Sequence, residues 1–174
     1  MRIAVLVLST ICAAALEAQP RNIDVRLRAY QQAIRLDTVA LWNDIEASPA
    51  RSFAAVRHVL DSLDVPVTTV DSVNGLFYRS PFNTARQILG RRMSWALNCG
   101  ESINGPNADS YRIHMVYALF LEPTVDGQTR LGTALAAGAS TTEGASKPPI
   151  RCGSTGAFER EIVRLVRARV QAEP

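Results

Sequence analysis

The order of hydrophobic patterns along this chain predicts an α+β fold. An antiparallel sheet of about five to six strands should carry, on one face, a helix near 49–63 and a long C-terminal helix near 155–170. Three observations carry that prediction. Tyr111, Ile113, Met115, Tyr117, Leu119 and Leu121 alternate without a break, which is the period of a strand. Phe53, Val56, Val59, Leu60 and Leu63 recur at helical spacing, as do Phe158, Ile162, Leu165, Val166 and Val170. Cys99 and Cys152 then offer one long-range tie between the middle of the chain and the start of its last helix.

Residues 1–18 have the layout of a secretory leader. Arg2 gives a positive start, Ile3 to Leu16 is an apolar run too short to span a bilayer, and small residues end it. Cleavage after Ala18 or after Ala15 fits. Cys12 lies inside the run, and bulky Ile11 precedes it where a lipoprotein signal carries a small residue, so no lipid anchor is expected. The remaining chain has roughly 155 residues, enough for one domain with a real core. The segment 19–37 is ambiguous: Ile23, Val25 and Leu27 alternate, while Leu27, Tyr30 and Ile34 fit a helix. The α+β domain is expected over 38–171.

Within it, Thr38 to Ala47 reads as a strand with Val39, Leu41 and Ile45 inward. Ser48-Pro49 is a helix start, a capping hydroxyl followed by a proline whose missing N–H costs nothing at the first position. Pro66 ends that helix. Val67 to Asp71 and Leu76 to Tyr78 read as a hairpin around Asn74-Gly75. A short helix is expected around Thr84 to Leu89, and a strand from Met93 to Asn98 that delivers Cys99. Gly100 to Ser110 reads as a turn-rich loop. After the Tyr111 strand, Asp126-Gly127 turns the chain, and Leu131, Thr133, Leu135 and Ala137 return antiparallel. The other face of the return carries Gly132, Ala134, Ala136 and Gly138, small enough to let another element approach closely. Thr141 to Pro149 is a polar segment, and Thr155 caps the last helix.

The apolar fraction of 47% with 20% charged residues belongs to a globular domain and excludes a disordered one. Losing residues 1–18 removes one base and one acid, so the net charge stays at +3, too small to imply a nucleic-acid partner. No segment is long and apolar enough for a transmembrane span. In an oxidising compartment the two remaining cysteines pair in one way, closing a loop of 53 residues. Chain entropy makes that worth about 4 kcal/mol at most. A metal site does not fit two cysteines with neither a CxxC nor a nearby histidine.

No catalytic motif stands out, and no cofactor is expected. Cys152-Gly153-Ser154-Thr155-Gly156 opens a helix as anion-cradling loops do, but Phe158 stands where a cysteine phosphatase needs arginine, and no Walker lysine is present. Ser154 with His114 lacks the nucleophile-elbow context of a hydrolase. His58 and His114 are read as surface residues. Glu101, Asn104, Asn107 and Asp109 offer oxygens without the spacing of a calcium loop. Arg160, Arg164 and Arg167 follow one helix face and form the candidate partner surface, since guanidinium groups make forked contacts with carboxylate and phosphate. Tyr111, Met115, Tyr117 and Leu135 would line a cavity under the last helix, if one exists.

From about Thr38 to Val170 the chain resembles a class of uncharacterised exported bacterial proteins. The resemblance lies in Ser48-Pro49, Val67 to Asp71 with Asn74-Gly75, Cys99-Gly100, the Tyr111 strand, and Cys152 to Gly156 with Phe158-Glu159. The element order also resembles helix-grip domains, which hold apolar ligands under the last helix or serve in envelope assemblies. The expectation is a periplasmic or extracellular, non-catalytic binding or assembly module, its partner an envelope protein or an anionic envelope component. The alternative is a carrier of a small apolar ligand.

Overall fold

A computed structural model describes residues 22–141 and 148–172. The leader with Cys12, and most of the polar segment near 141–149, lie outside these residues. The first elements are β1 (Asp24–Val25), β2 (Ile34–Arg35), a 3-10 turn (Leu36–Val39), β3 (Leu41–Ile45) and α1 (Pro49–Ser62). Then come β4 (Thr69–Asp71), β5 (Leu76–Ala85), β6 (Gln87–Ile88), β7 (Arg91–Arg92), α2 (Met93–Ala96) and β8 (Leu97–Asn98). The rest is β9 (Glu101–Ser102), β10 (Gly105–Pro106), α3 (Asn107–Ser110), β11 (Arg112–Pro123), β12 (Thr129–Ser140), β13 (Ile150–Ser154) and α4 (Ala157–Ala172).

The fold is α+β, as the hydrophobic pattern requires. One seven-stranded antiparallel sheet runs β4-β5-β11-β12-β13-β8, with β3 also paired to β12. Its spine is the β11–β12 hairpin, in register from Arg112↔Ser140 to Pro123↔Thr129. The outer edge of β12 is divided between two strands. Thr129–Thr133 pairs with β3 and Ala137–Ala139 with β13.

One face of the sheet carries α1 and α4. Met115, Tyr117, Leu119 and Phe77 meet Val56, Leu60, Phe158, Ile162 and Val166 there, all buried. The ambiguous N-terminal segment covers the other face. Val25, Leu27 and Leu36 pack on Val116, Ala118, Phe120, Ala134 and Ala136. The close approach that the small residues of β12 permit is therefore made by this strap and by β3. A Cβ on Gly138 would lie 2.5 Å from the Ala29 Cβ, and one on Gly132 would lie 2.8 Å from the Trp42 ring. The Tyr30 hydroxyl lies 3.2 Å from the carbonyl oxygens of both Ala137 and Cys152 and donates between them.

Cys99 and Cys152 are bonded, with a Cα–Cα distance of 4.2 Å, just beyond the Asn98↔Gly153 pair of β8 and β13. The bridge ties the strand leading into α4 to the β8 edge.

Several local expectations are corrected. The helix expected at Thr84 to Leu89 is absent, because Phe82 and Thr84 pair with Met115 and Ile113 and draw β5 out to Ala85. Pro81, which has no N–H to donate, falls where that ladder shifts register. A Leu89-Gly90 turn with positive φ at both positions then links β6 to β7. Met93 to Ala96 forms one helical turn rather than a strand, because Met93 and Ala96 are both buried at helical spacing; only Leu97–Asn98 is extended. Ahead of β3 the chain makes a 3-10 turn, and Val39 and Leu41 are exposed while Ile45 is buried. Ser48 sits at the N-cap of α1 with Pro49 beside it, yet its hydroxyl makes no cap bond. The 100–110 loop contains the β9–β10 hairpin and α3.

Candidate functional site

The arginine row sits on the flank of α4 that faces β3. Phe158, Ile162, Val163, Val166 and Val170 turn inward, which leaves Arg160, Arg164 and Arg167 exposed. Each guanidinium has a protein partner. Arg160 donates to the Thr155 carbonyl at 3.3 Å. Arg164 forms a two-pronged pair with Glu161 at 2.9 and 2.8 Å, which holds the Glu161 carboxyl below its ordinary range. Arg167 reaches across to the Asp44 carbonyl on β3, at 3.3 and 2.9 Å.

With Asn43, Val163, Ala168 and Gln171, the three arginines line an open groove of about 590 Å³ between α4 and β3. A second groove of about 300 Å³ shares Arg167 and Gln171 with it and continues past Ile45, Glu46 and Arg51. Arg51 donates to the Val170 carbonyl at 2.7 Å, satisfying one of the free carbonyls at the end of α4. Sequence reasoning does not single out Arg51 or Asn43. Both reach the groove through tertiary packing, and their spacing along the chain gives no signal for it.

The expected cavity residues divide. Met115, Tyr117 and Phe158 lie at the base of a depression of about 230 Å³, walled by Phe82, Leu63 and Leu89. Tyr111 and Leu135 do not line it: Leu135 is buried in the main core, and Tyr111 packs against that core. The Tyr117 hydroxyl donates to the Pro66 carbonyl, and burial pushes the phenol well above its ordinary range despite the nearby Arg79 charge.

The loop before α4 serves its own helix. Ser154 Oγ accepts the Gly156 N–H at 2.9 Å and donates to Glu159 Oε1 at 2.6 Å. Thr155 Oγ1 accepts the Ala157 N–H at 3.2 Å and donates to the Trp95 carbonyl at 2.5 Å. The place an anion would take is thus occupied by the chain's own side chains. Glu159 is buried, and desolvation raises its carboxyl above the ordinary value against the pull of the Ser154 hydroxyl.

Ser154 and His114 are not brought together. His114 lies on the strap face, where burial and the charges of Arg28 and Arg112 lower its pKa. His58 is exposed. Asp109 accepts the Ser94 N–H and hydroxyl at 2.8 Å each, and the Asn107 side chain donates to the Cys99 carbonyl at 3.2 Å. These residues brace the loop around α2 and α3. Among the described residues no three acidic, histidine or cysteine side chains gather as metal ligands. No described helix is long and apolar enough to cross a membrane.

No protein-family model matches this chain, and no curated protein matches it.

Proposed function

We propose that the chain is an exported, non-catalytic binding or assembly module of the cell envelope, working through the Arg160, Arg164 and Arg167 surface. The observation that supports this reading is the groove itself: α4 and β3 line up three guanidinium groups along one accessible channel. Guanidinium forks suit carboxylate and phosphate groups, so an envelope protein or an anionic envelope component is the fitting partner. The bonded Cys99–Cys152 pair is compatible with an oxidising compartment. Capture from envelope extracts tests the reading. Alanine at all three arginines should weaken recovery of whatever partner the unaltered protein retains, and unchanged recovery would remove this surface.

A second reading is favoured by one specific observation, the apolar depression over Met115, Tyr117 and Phe158. With the helix-grip-like order, it suits a carrier of a small apolar ligand. Its volume, below the roughly 300–1,000 Å³ of drug-sized sites, limits that ligand to a compact molecule. Native mass spectrometry after gentle purification should then reveal a bound mass; a clean unliganded mass would end this reading.

A further inference from the structure

The arginine groove runs beside an unpaired strand edge. Among the described residues β3 pairs only with β12, so its far side has no strand against it. The Asp44 carbonyl points to that side, since it accepts both bonds from Arg167. In an antiparallel ladder alternate residues direct their N–H and C=O the same way, so Trp42 presents its backbone groups alongside. Natural edges are often blunted by proline or by charged side chains, lysine above all. β3 contains neither proline nor lysine, its one charge is that of Asp44, and Leu41 is 42% exposed.

Charge selects the occupant. Among the described residues, the hydrogen bonds of Arg51, Arg160 and Arg167 go to the neutral carbonyls of Val170, Thr155 and Asp44. Among the described residues, Arg164 alone of the groove arginines is paired with a carboxylate, that of Glu161. Asp44 and Glu46 line the adjoining groove together with Arg167, so the preference for acid is strongest at the far end, near Arg160. A second copy fits poorly. Two β3 edges related by a two-fold axis would set both α4 helices on the same face, with their arginine rows opposed.

We propose that this edge takes up an extended acidic peptide as an added β-strand, its backbone pairing with Trp42 and Asp44 and its carboxylates reaching Arg160 and Arg167. Strand addition of this kind draws affinity from main-chain bonds and selectivity from alternate side chains. Arg167 holds the place of the incoming amide. On binding, the peptide N–H takes the Asp44 carbonyl and the guanidinium turns to a carboxylate, exchanging a neutral acceptor for a charged one. The inference rests on the binding-module reading and names the chemistry of its partner.

Fluorescence anisotropy with the full exported chain tests it, using a labelled octapeptide of alternating glutamate and threonine. A second peptide carries N-methyl groups on alternate amides, and a third has lysine in place of glutamate. Saturable binding of the first is expected, with affinity lowered about tenfold or more by N-methylation and by R160E/R167E. R160K/R167K, which keeps the charge but not the forked contact, should bind between the unaltered protein and R160E/R167E, and unchanged melting of both variants excludes misfolding. Three results would overturn the proposal: no binding of the acidic peptide, binding indifferent to N-methylation, or concentration-dependent dimers that R160E/R167E strengthens. Should the peptide fail while the triple-alanine protein still loses its envelope partner, strand addition falls and the binding-module reading stands. Failure of both removes both.

Discussion

On the α1 and α4 face of the sheet, large strand residues meet large helix residues, with Phe77 and Tyr117 packed against Phe53 and Phe158 at ring separations of 4.5 and 5.8 Å. On the opposite face much of the bulk comes from the covering segment. β12 offers Gly132, Ala134, Ala136 and Gly138, and the segment brings Val25, Leu27, Tyr30 and Leu36, with Trp42 lying over Gly132. Beside the helix layer two strands of the sheet, β8 and β13, are joined covalently through Cys99 and Cys152, whereas the strap is held by packing and a few hydrogen bonds such as those of Tyr30. A sheet can thus be covered by matching large with large, or by leaving a shallow bed for a chain with only a two-residue strand pair and a 3-10 turn. Both give dense packing, but they fail differently when disturbed.

The largest effect should come from hollowing the helix layer. Phe158→Ala removes a fully buried ring beside Tyr117 and should cost about 3–5 kcal/mol in urea denaturation. A loss under about 1 kcal/mol would mean that the helix layer does not depend on matched large residues. Cutting the tie comes next: Cys99→Ala with Cys152→Ala should lower stability by about 2–4 kcal/mol. Reduction of the unaltered protein should match it.

Overfilling the shallow bed is the corresponding break on the strap side. Gly138→Ala drives a methyl group into Ala29 and should cost about 1–3 kcal/mol. Hydrogen exchange should quicken in 23–36 and not in α4. Gly153→Ala, with nothing within 4 Å of the added carbon, is the control and should stay within about 0.5 kcal/mol. Equal exchange changes in both layers would show that the strap and helices open together.

The smallest effects are electrostatic and have opposite sign on the two faces. Glu159 has a raised pKa, so the folded state binds the proton more tightly than the unfolded one. Its stabilising contribution is full below the ordinary value of 4.5 and is lost as pH rises through the raised value. Glu159→Gln should therefore raise the melting midpoint at pH 7 and flatten its pH dependence. His114 has a lowered pKa, so its contribution is full above 6.5 and declines as pH falls through that range, by an amount limited by its exposure. Arg28→Gln should move the His114 titration upward by NMR. No movement would place Arg28 farther from the imidazole than the strap geometry implies.

The same contrast explains which elements are legible in the sequence. A helix declares itself by its period, so the stripe from Phe53 to Leu63 locates α1 to within a residue at its end, Ser62. The unbroken alternation from Tyr111 locates β11 in the same way. The strap offers two short, competing periods, the alternation of Ile23, Val25 and Leu27 and the helical spacing of Leu27, Tyr30 and Ile34, and neither runs long enough to decide. Its trace in the sequence is indirect, in the four small residues of β12, which indicate close approach without naming the visitor. Segments without a long period of their own are misread because tertiary partners decide them: Met115 and Ile113 draw Phe82 and Thr84 into β5, and two buried side chains turn Met93 to Ala96 into a helix. At the candidate site the arginine row is visible on its helix. The groove needs β3, and β3 lies more than a hundred residues earlier: Asp44 and Arg167 are 123 positions apart.

The Tyr30 contacts carry a consequence for the order in which the molecule assembles. Their acceptors lie 107 and 122 positions further along the chain. While the polypeptide is being made from its N-terminus, Val25, Leu27 and Leu36 have nowhere to go until the central hairpin and the strand after it have emerged. Contacts spanning so much of the chain form slowly, and oily segments left waiting are prone to stick to one another. Pulse-labelling during refolding should find 23–36 among the last amides to gain protection, so that the earliest stretch of this fold to be synthesised is also the latest to be sealed.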